Sequence, residues 1–296
     1  MESFFRFVMI ALMDQTYMPA RPVAQRPGRP VGDLLREWRQ RRRMSQLVLA
    51  TEARISTRHL SFVESGRAQP SREMLMHLAE QLDVPLRARN ALFVAAGYAP
   101  LYAERALNDP HLDAAREAVQ LVLQGHQPYP ALAVDRHWTM VAANGALAPL
   151  VARAHPRLLE APVNVLRLSL HPEGLAPHIV DWAGWRAHVL QRVDRQAQAS
   201  GDATLAALVE ELAAYPAPAG ANVEPSREPA PLSDVVVPLQ LRTDIGLLSF
   251  FSTTTVFGSP VDVTLSELAI EAFFPADAAT GEALRAYRAT REKGAA

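Results

Sequence analysis

The sequence predicts two domains of different class: an all-α N-terminal domain of five helices, then an α+β domain built on an antiparallel sheet. Three observations predict this. From Val31 to Gly97 apolar residues recur at helical spacing almost throughout. After "YAPLY" the amphipathic helices are interleaved with strand-like alternation. Near the end come three strand-like runs, "DVVVPLQL", "GLLSFFSTTTVF" and "VTLSELAIEAFF", joined by short turns. The 296 residues suffice for one large domain or two ordinary ones. Hydrophobic residues at 49% and charged residues at 21% are the balance of a globular chain rather than a disordered one.

The elements follow in order. "MESFFRFVMIALM" is apolar but short, carries Glu2 before Arg6 and lacks a convincing small-residue cleavage site. A weak signal peptide is one reading; a start at Met13 or Met18, or a frayed extension, is the expected one. "PARPVAQRPGRP" is Pro- and Arg-rich without a period, so 1–30 is expected to be a flexible basic arm. "VGDLLREWRQRRRM" sets Val31, Leu34, Leu35 and Trp38 on one helical face. Ser45 caps the second helix, which is expected to bury Leu47, Leu49 and Ala50. Ser56 caps a short third helix that Gly66 ends, Ser71 starts a fourth, and "LRARNALFVAAG" makes a fifth.

Beyond these, "DAAREAVQLVLQG" is an amphipathic helix, and "PALAVDRHWTMVAANGAL" reads as strand, turn at Asp135-Arg136, strand and helix. "HIVDWAGWRAHVLQRVDRQAQ" and "DATLAALVEELAAY" are two further helices, and 216–231 is a Pro/Ala/Glu loop. Alternation in "TLSELAIEAFF" puts Leu265, Glu267, Ala269 and Glu271 on one strand face, which the two carboxylates mark as exposed. The expected domains are therefore the arm at 1–30, a helical domain at 31–99, an α+β domain at 104–280 and a tail at 281–296.

A net charge of −1 conceals an asymmetry. Between Ala20 and Arg72 stand twelve arginines against Asp33, Glu37, Glu52 and Glu64; between Ala199 and Glu282 stand twelve carboxylates against Arg227 and Arg242. A basic front points to a polyanion partner for that part alone. The absence of cysteine excludes disulfides, thiolate zinc sites, iron–sulfur clusters and a cysteine nucleophile. No run of about 18 apolar residues occurs, so no membrane partner is expected.

Function-bearing residues collect at the third helix. On a helical wheel Ser56, Leu60 and Val63 fall on one side, and Arg58, Ser61, Phe62 and Ser65 on the other, with Thr57 and His59 flanking. A helix that only packs needs an apolar stripe and no chosen residues opposite. A face of Arg and hydroxyls at a helix N-terminus suits the DNA major groove, where Arg pairs with guanine and hydroxyls with either base type. Phe62 either meets a thymine methyl or packs on its neighbours. Gln46 is expected to hold a phosphate through side chain and backbone amide, Arg67 to hold a second, and Arg41, Arg42 and Arg43 to add charge nearby.

"MSQLVLATEARISTRHLSFVESGRAQPS" resembles the Xre/Cro-like helix-turn-helix family through Ser45-Gln46, Leu49-Ala50, Glu64-Ser65-Gly66 and Pro70-Ser71 in order. It departs from that family at Arg54, where the turn often carries Gly, so an unusual backbone angle is expected on a residue with a side chain. "PSREMLMHLAEQLDVPL", "AAGYAP", "HWTMVAAN" and "NVLRLSLHPEGLAP" resemble the MmyB-type subgroup, and the likeness runs from Val31 to about Asp277. That resemblance implies a PAS-like second domain, a small apolar ligand such as a fatty acid, and dimerisation.

The residues themselves suggest Arg136, His137, Trp138, Arg167, His171, Trp182, Trp185 and Arg186 as polar handles for such a ligand, although tryptophans of this kind are more often core residues with a satisfied indole N–H. Arg167 lies in an apolar run, so a buried guanidinium paired with a ligand carboxylate or with Asp or Glu is expected. The histidines 171, 178 and 188 have no metal-site spacing, and neither a phosphate loop nor a Gly-x-Ser-x-Gly elbow occurs. No catalytic residue, metal or cofactor is expected. The expectation is a cytoplasmic, DNA-binding transcription regulator, acting on double-stranded DNA as a homodimer because one short helix reads too few bases. A plain dimerisation body, or a small hydrolase tethered to DNA, stand as rival readings of the second domain.

Overall fold

The computed structural model describes residues 29–221, 237–258, 260 and 262–294. The leading apolar segment, nearly all of the basic arm, and the 216–231 loop from 222 onward lie outside the described residues.

The first domain consists of α1 (Val31–Arg41), α2 (Gln46–Glu52), α3 (Thr57–Glu64), α4 (Arg72–Gln81) and α5 (Leu86–Ala95). Leu35, Leu49, Leu60, Leu75, Leu78 and Phe93 close its core and are fully buried. Three helices begin on serine. Ser45 Oγ accepts from the Val48 amide at 3.1 Å, Ser56 Oγ from His59 at 3.1 Å, and Ser71 Oγ from Met74 at 3.2 Å. Each cap contributes about 1 kcal/mol. Gly32 allows α1 to cross the end of α3 closely, since a Cβ there would stand 2.4 Å from the Val63 carbonyl oxygen. Arg54 does adopt the left-handed conformation its position in the turn demands, with φ +52. The expectation that α2 buries Leu47 is corrected: Leu47 is 65% exposed, because α2 packs through Leu49 and Ala50 instead.

The second domain runs α6 (Asp113–Gly125), β1 (Ala131–Val134), β2 (Met140–Ala143), α7 (Ala148–Val151), α8 (Val165–Leu170), α9 (Trp182–Ser200), α10 (Ala203–Ala213), β3 (Leu239–Thr243), β4 (Gly246–Val256), α11 (Val263–Ser266), β5 (Ala269–Pro275) and α12 (Ala278–Gly294). Its five-stranded sheet is antiparallel in the order β2-β1-β5-β4-β3. Side chains alternate across β1. Ala131 and Ala133 face Val119 and Leu123 of α6, while Leu132 and Val134 join the larger core beneath α8, α9 and α10. Small residues on one face and large ones on the other let the sheet take a helix closely on one side and a thicker layer on the other. Asn144 ties that arrangement together: its Oδ1 accepts from the Ala131 amide at 3.1 Å and its Nδ2 donates to the Leu123 and Tyr129 carbonyls at 2.9 and 2.8 Å.

Two expectations at the C-terminal end change. "VTLSELAIEAFF" is not one strand. Asp262 caps the single turn α11, accepting from Thr264 at 2.9 Å, and β5 starts only at Ala269. Glu271 is then 4% exposed rather than on an open face. Nor is 281–294 a tail, since α12 begins at Ala278 and carries Leu284, 1% exposed, into the main core.

The two domains meet at side-chain contacts. Arg42 donates to the Leu82 and Asp83 carbonyls at 2.8 Å each and to Ala199 at the end of α9 at 3.3 Å. Arg41 pairs with Glu37 at 2.6 Å and donates to the Gln198 carbonyl at 3.4 Å. The expectation that these two arginines add charge beside the recognition helix is thereby corrected: their hydrogen bonds hold them at the domain junction. Asn90, 8% exposed, pins the connecting segment by accepting from the Leu101 and Tyr102 amides at 2.9 and 3.0 Å.

Candidate functional site

The first candidate surface is the outer side of α3. Leu60 and Val63 anchor its inner side, leaving Arg58 exposed and Thr57, His59, Ser61 and Phe62 half-buried. Ser56 is exposed, and its hydroxyl already caps the helix. Phe62 organises two cations. The Arg58 guanidinium lies 5.3 Å over its ring and that of Arg67 lies 5.9 Å over it. Arg67 is brought back to this ring by the turn at Gly66, φ +73, with the Arg67 amide bonded to the Phe62 carbonyl at 2.8 Å. The two bases therefore share one aromatic support on the exposed side of the motif.

Beneath that surface Glu64, 2% exposed, receives both arms of Arg39, Nε to Oε1 at 2.7 Å and NH2 to Oε2 at 2.9 Å. Gln46 Nε2 also donates to Glu64 Oε2 at 2.8 Å. Burial pushes the Glu64 carboxyl up, but the hydrogen bonds from Arg39 and Gln46 outweigh it and hold it below the usual carboxylate range. The expected phosphate role of the Gln46 side chain is thus revised: its amide nitrogen is committed to Glu64, which locks α2, α3 and α1 together. Its backbone N–H lies in the first turn of α2, among the amides that no intrahelical carbonyl satisfies.

The second candidate site is a cavity of about 90 Å³ between the sheet and α8 and α9. Leu132, Met140, Leu168, Val189, Leu239 and Phe273 give it an apolar wall, with Trp138 and Trp185 among the lining. Trp138 takes φ +66 at the end of the β1–β2 turn and donates its Nε1 to Gln196 Oε1 at 2.9 Å. Trp185 donates its Nε1 to Ser169 Oγ at 2.8 Å and stacks on His188 with centroids 5.6 Å apart.

The other expected handles stand elsewhere. Arg167 is not buried: it points outward on α8 and pairs with Glu211 at 2.7 Å through two nitrogens. His171 caps the end of α8 and meets Tyr215 edge-on at 5.2 Å. Trp182 is 5% exposed in the core, with Arg186 5.5 Å over its ring. Arg136 and His137 lie at the domain junction: Arg136 reaches both Glu267 oxygens at 3.3 Å, and His137 Nε2 stands 2.8 Å from Asp202 Oδ2.

Sequence reasoning missed Ser169, His188, Arg192, Ser252 and Glu271, all in the cavity lining. One signal was readable. Trp185, His188, Val189, Arg192 and Val193 share a helical stripe on α9, so two polar residues ride the apolar face. Burial pushes the His188 imidazole below its ordinary value, with the charges of Arg192 and Arg195 adding to the effect.

A capped helix-turn-helix joined to an α+β domain that encloses an apolar cavity defines a DNA-binding transcription regulator with a ligand-binding domain. Comparison with known families agrees: the MmyB-like transcription regulator ligand binding domain matches residues 115–286, and a helix-turn-helix family matches residues 35–88. The chain belongs to the MmyB-like transcription regulators. No curated protein matches it. Among solved structures an RNA-binding light-oxygen-voltage receptor is similar at 14% identity and a TM-score of 0.26, over 88% of this chain and 64% of the receptor. Among the described residues no helix is long and apolar enough to cross a membrane.

Proposed function

We propose that this regulator reads a partly palindromic operator as a homodimer, and that a small apolar molecule in the second domain's cavity tunes that reading. In this assignment Arg58, with Thr57, Ser61 and His59, contacts base edges; Arg67 and the backbone N–H of Gln46 hold phosphates; and Phe62 serves as the support for both arginines. Ser56 belongs to the surface as its cap. The DNA-binding domain spans 31–99, and the ligand-binding and dimerisation domain spans 104–294.

The observation that carries the sensing role is the place of Trp138. It is a wall residue of the cavity, and two positions earlier Arg136 bridges to Glu267, which Arg87 of α5 grips from the DNA-binding domain. An occupant that moves the β1–β2 turn acts directly on that junction, and its leverage equals its differential affinity for the two arrangements. The alkyl chain of a fatty acid, the ligand class the family resemblance implies, satisfies the apolar wall.

Native mass spectrometry of the full chain, before and after extraction with organic solvent, tests both parts at once. A dimer carrying an extractable small molecule is the expected result. A dimer with no added mass, still empty after exposure to octanol and octanoate, removes the sensing role. A monomer at micromolar concentration removes the two-fold reading of the operator.

A further inference from the structure

His188 and Arg192 stand one turn apart on α9 and both line the cavity, as do Ser252 of β4 and Glu271 of β5. The charge of Arg192 is already balanced. Its NH1 donates to Glu271 Oε2 at 3.1 Å and its NH2 to Glu271 Oε1 at 2.6 Å, while NH2 also donates to Thr254 Oγ1 at 2.7 Å. Its Nε–H and the second N–H of NH1 remain as donors, so Arg192 can still hydrogen-bond to an entering carboxylate. Neutralising it is another matter. Two carboxylates would then share one guanidinium, with Glu271 only 5% exposed, and like charges at one poorly solvated site oppose each other's ionisation. A carboxylate ligand therefore needs a second cation or a proton.

Among the described residues of the lining, His188 is the group that can become that cation, since Ser169 of α8 and Ser252 of β4 offer hydroxyls alone. Its ring stacks on Trp185, 29° from parallel, an arrangement that occupies the ring face and leaves the nitrogens at the edge. No hydrogen bond to a described residue engages either nitrogen. The charges that act on it are Arg192 and Arg195 of its own helix and Glu271 of β5. Burial first, then the two arginines, favour the neutral imidazole over the weaker pull of Glu271. An anion placed beside the ring reverses that balance, because an opposite charge favours the protonated form.

Resting on the reading of this cavity as the ligand site, we propose that His188 is its head-group residue for carboxylate ligands and takes up a proton from solvent as the carboxylate enters. The new N–H then donates to the ligand oxygen. Two neutral pairs result, imidazolium with ligand and Arg192 with Glu271. Linkage fixes the sign. Above the value of the free imidazole and below that of the bound one, each pH unit upward weakens carboxylate binding about ten-fold and leaves an alcohol unaffected.

Isothermal titration calorimetry of the full chain with octanoate at pH 7, in phosphate and in Tris, counts the protons, because the two buffers differ in ionisation enthalpy. Uptake of about one proton per octanoate is expected, with affinity falling about ten-fold between pH 7 and pH 8. Binding of 1-octanol should take up none. His188→Gln keeps a hydrogen-bonding edge without a titratable group, and should bind octanoate with no proton uptake. Equal heats in both buffers together with pH-independent octanoate affinity in the wild type overturn the proposal, and that comparison needs no variant to fold. Uptake that persists in folded H188Q also overturns it, by placing the proton elsewhere. Octanol binding without octanoate binding at either pH sinks the proposal and leaves the cavity a ligand site. Failure of both probes removes the ligand-site reading itself, and this proposal with it.

Discussion

Arg87 of the DNA-binding domain closes a two-pronged ion pair on Glu267 of the second domain, Nε to Oε1 at 2.8 Å and NH2 to Oε2 at 2.9 Å. Both side chains are partly shielded, at 34% and 20% exposure, so the pair lies between a surface bridge and a buried one. Arg87→Ala should cost about 1–2 kcal/mol of stability on that scale. Its larger consequence is expected in signalling. Operator affinity measured by fluorescence anisotropy with and without octanol should respond in the wild type and stop responding in R87A. A response of unchanged size in R87A would place the coupling outside this contact.

At the DNA surface the two arginines over Phe62 should behave differently. Arg58→Ala is expected to weaken binding to the selected operator by about 1–3 kcal/mol and to relax one base position. Arg67→Ala should weaken binding to all sequences alike and reduce the salt slope by about 1. Operator selection followed by salt-dependent titration separates them, and an equal loss on every sequence for R58A would make Arg58 a phosphate contact.

Glu64 governs the acid stability of the first domain. Its folded pKa is depressed, so its contribution is complete above the unfolded carboxylate value and is lost as pH falls through the folded value. Urea denaturation of the full chain should show this loss below about pH 4.5. Glu64→Gln should flatten that acid slope and cost about 3 kcal/mol at pH 7, because Arg39 stays partly buried without its carboxylate.

His137 acts in the opposite sense. Its hydrogen bond with Asp202 raises the imidazole pKa, against a smaller opposing pull from burial. The stabilisation is therefore present below the unfolded histidine value of about 6.5 and is lost as pH rises through the folded value. Unfolding midpoints taken upward from pH 6 should fall in the wild type and less in His137→Gln. Equal slopes in the two proteins would sink the assignment.

Local chemistry was readable where its partners sit within one helical turn. Ser45, Ser56 and Ser71 each accept from an amide three residues on, and the apolar spacing of Leu60 and Val63 decides which side of α3 is left exposed. The left-handed backbone at Arg54 was legible as well, through the family resemblance, because the turn there often carries Gly. By contrast, Leu47 looked like a core residue by pattern and Arg167 like a buried cation, since a pattern shows which residues share a face and not what covers it. Glu271 was misplaced for the same reason: alternation set it beside Glu267, but α11 breaks the run, and β5 buries one carboxylate while leaving the other at the junction.

By itself, then, the sequence determined the helix-turn-helix, the five N-terminal helices, and the basic front that suits a polyanion. These follow from contacts three or four residues apart and from composition. Tertiary structure alone decided that Arg192 meets Glu271 across 79 positions and that Arg87 meets Glu267 across 180. The physical reason is topological. β5, late in the chain, inserts between β1 and β4, and only that insertion carries Glu271 into the cavity wall and Glu267 against the DNA-binding domain.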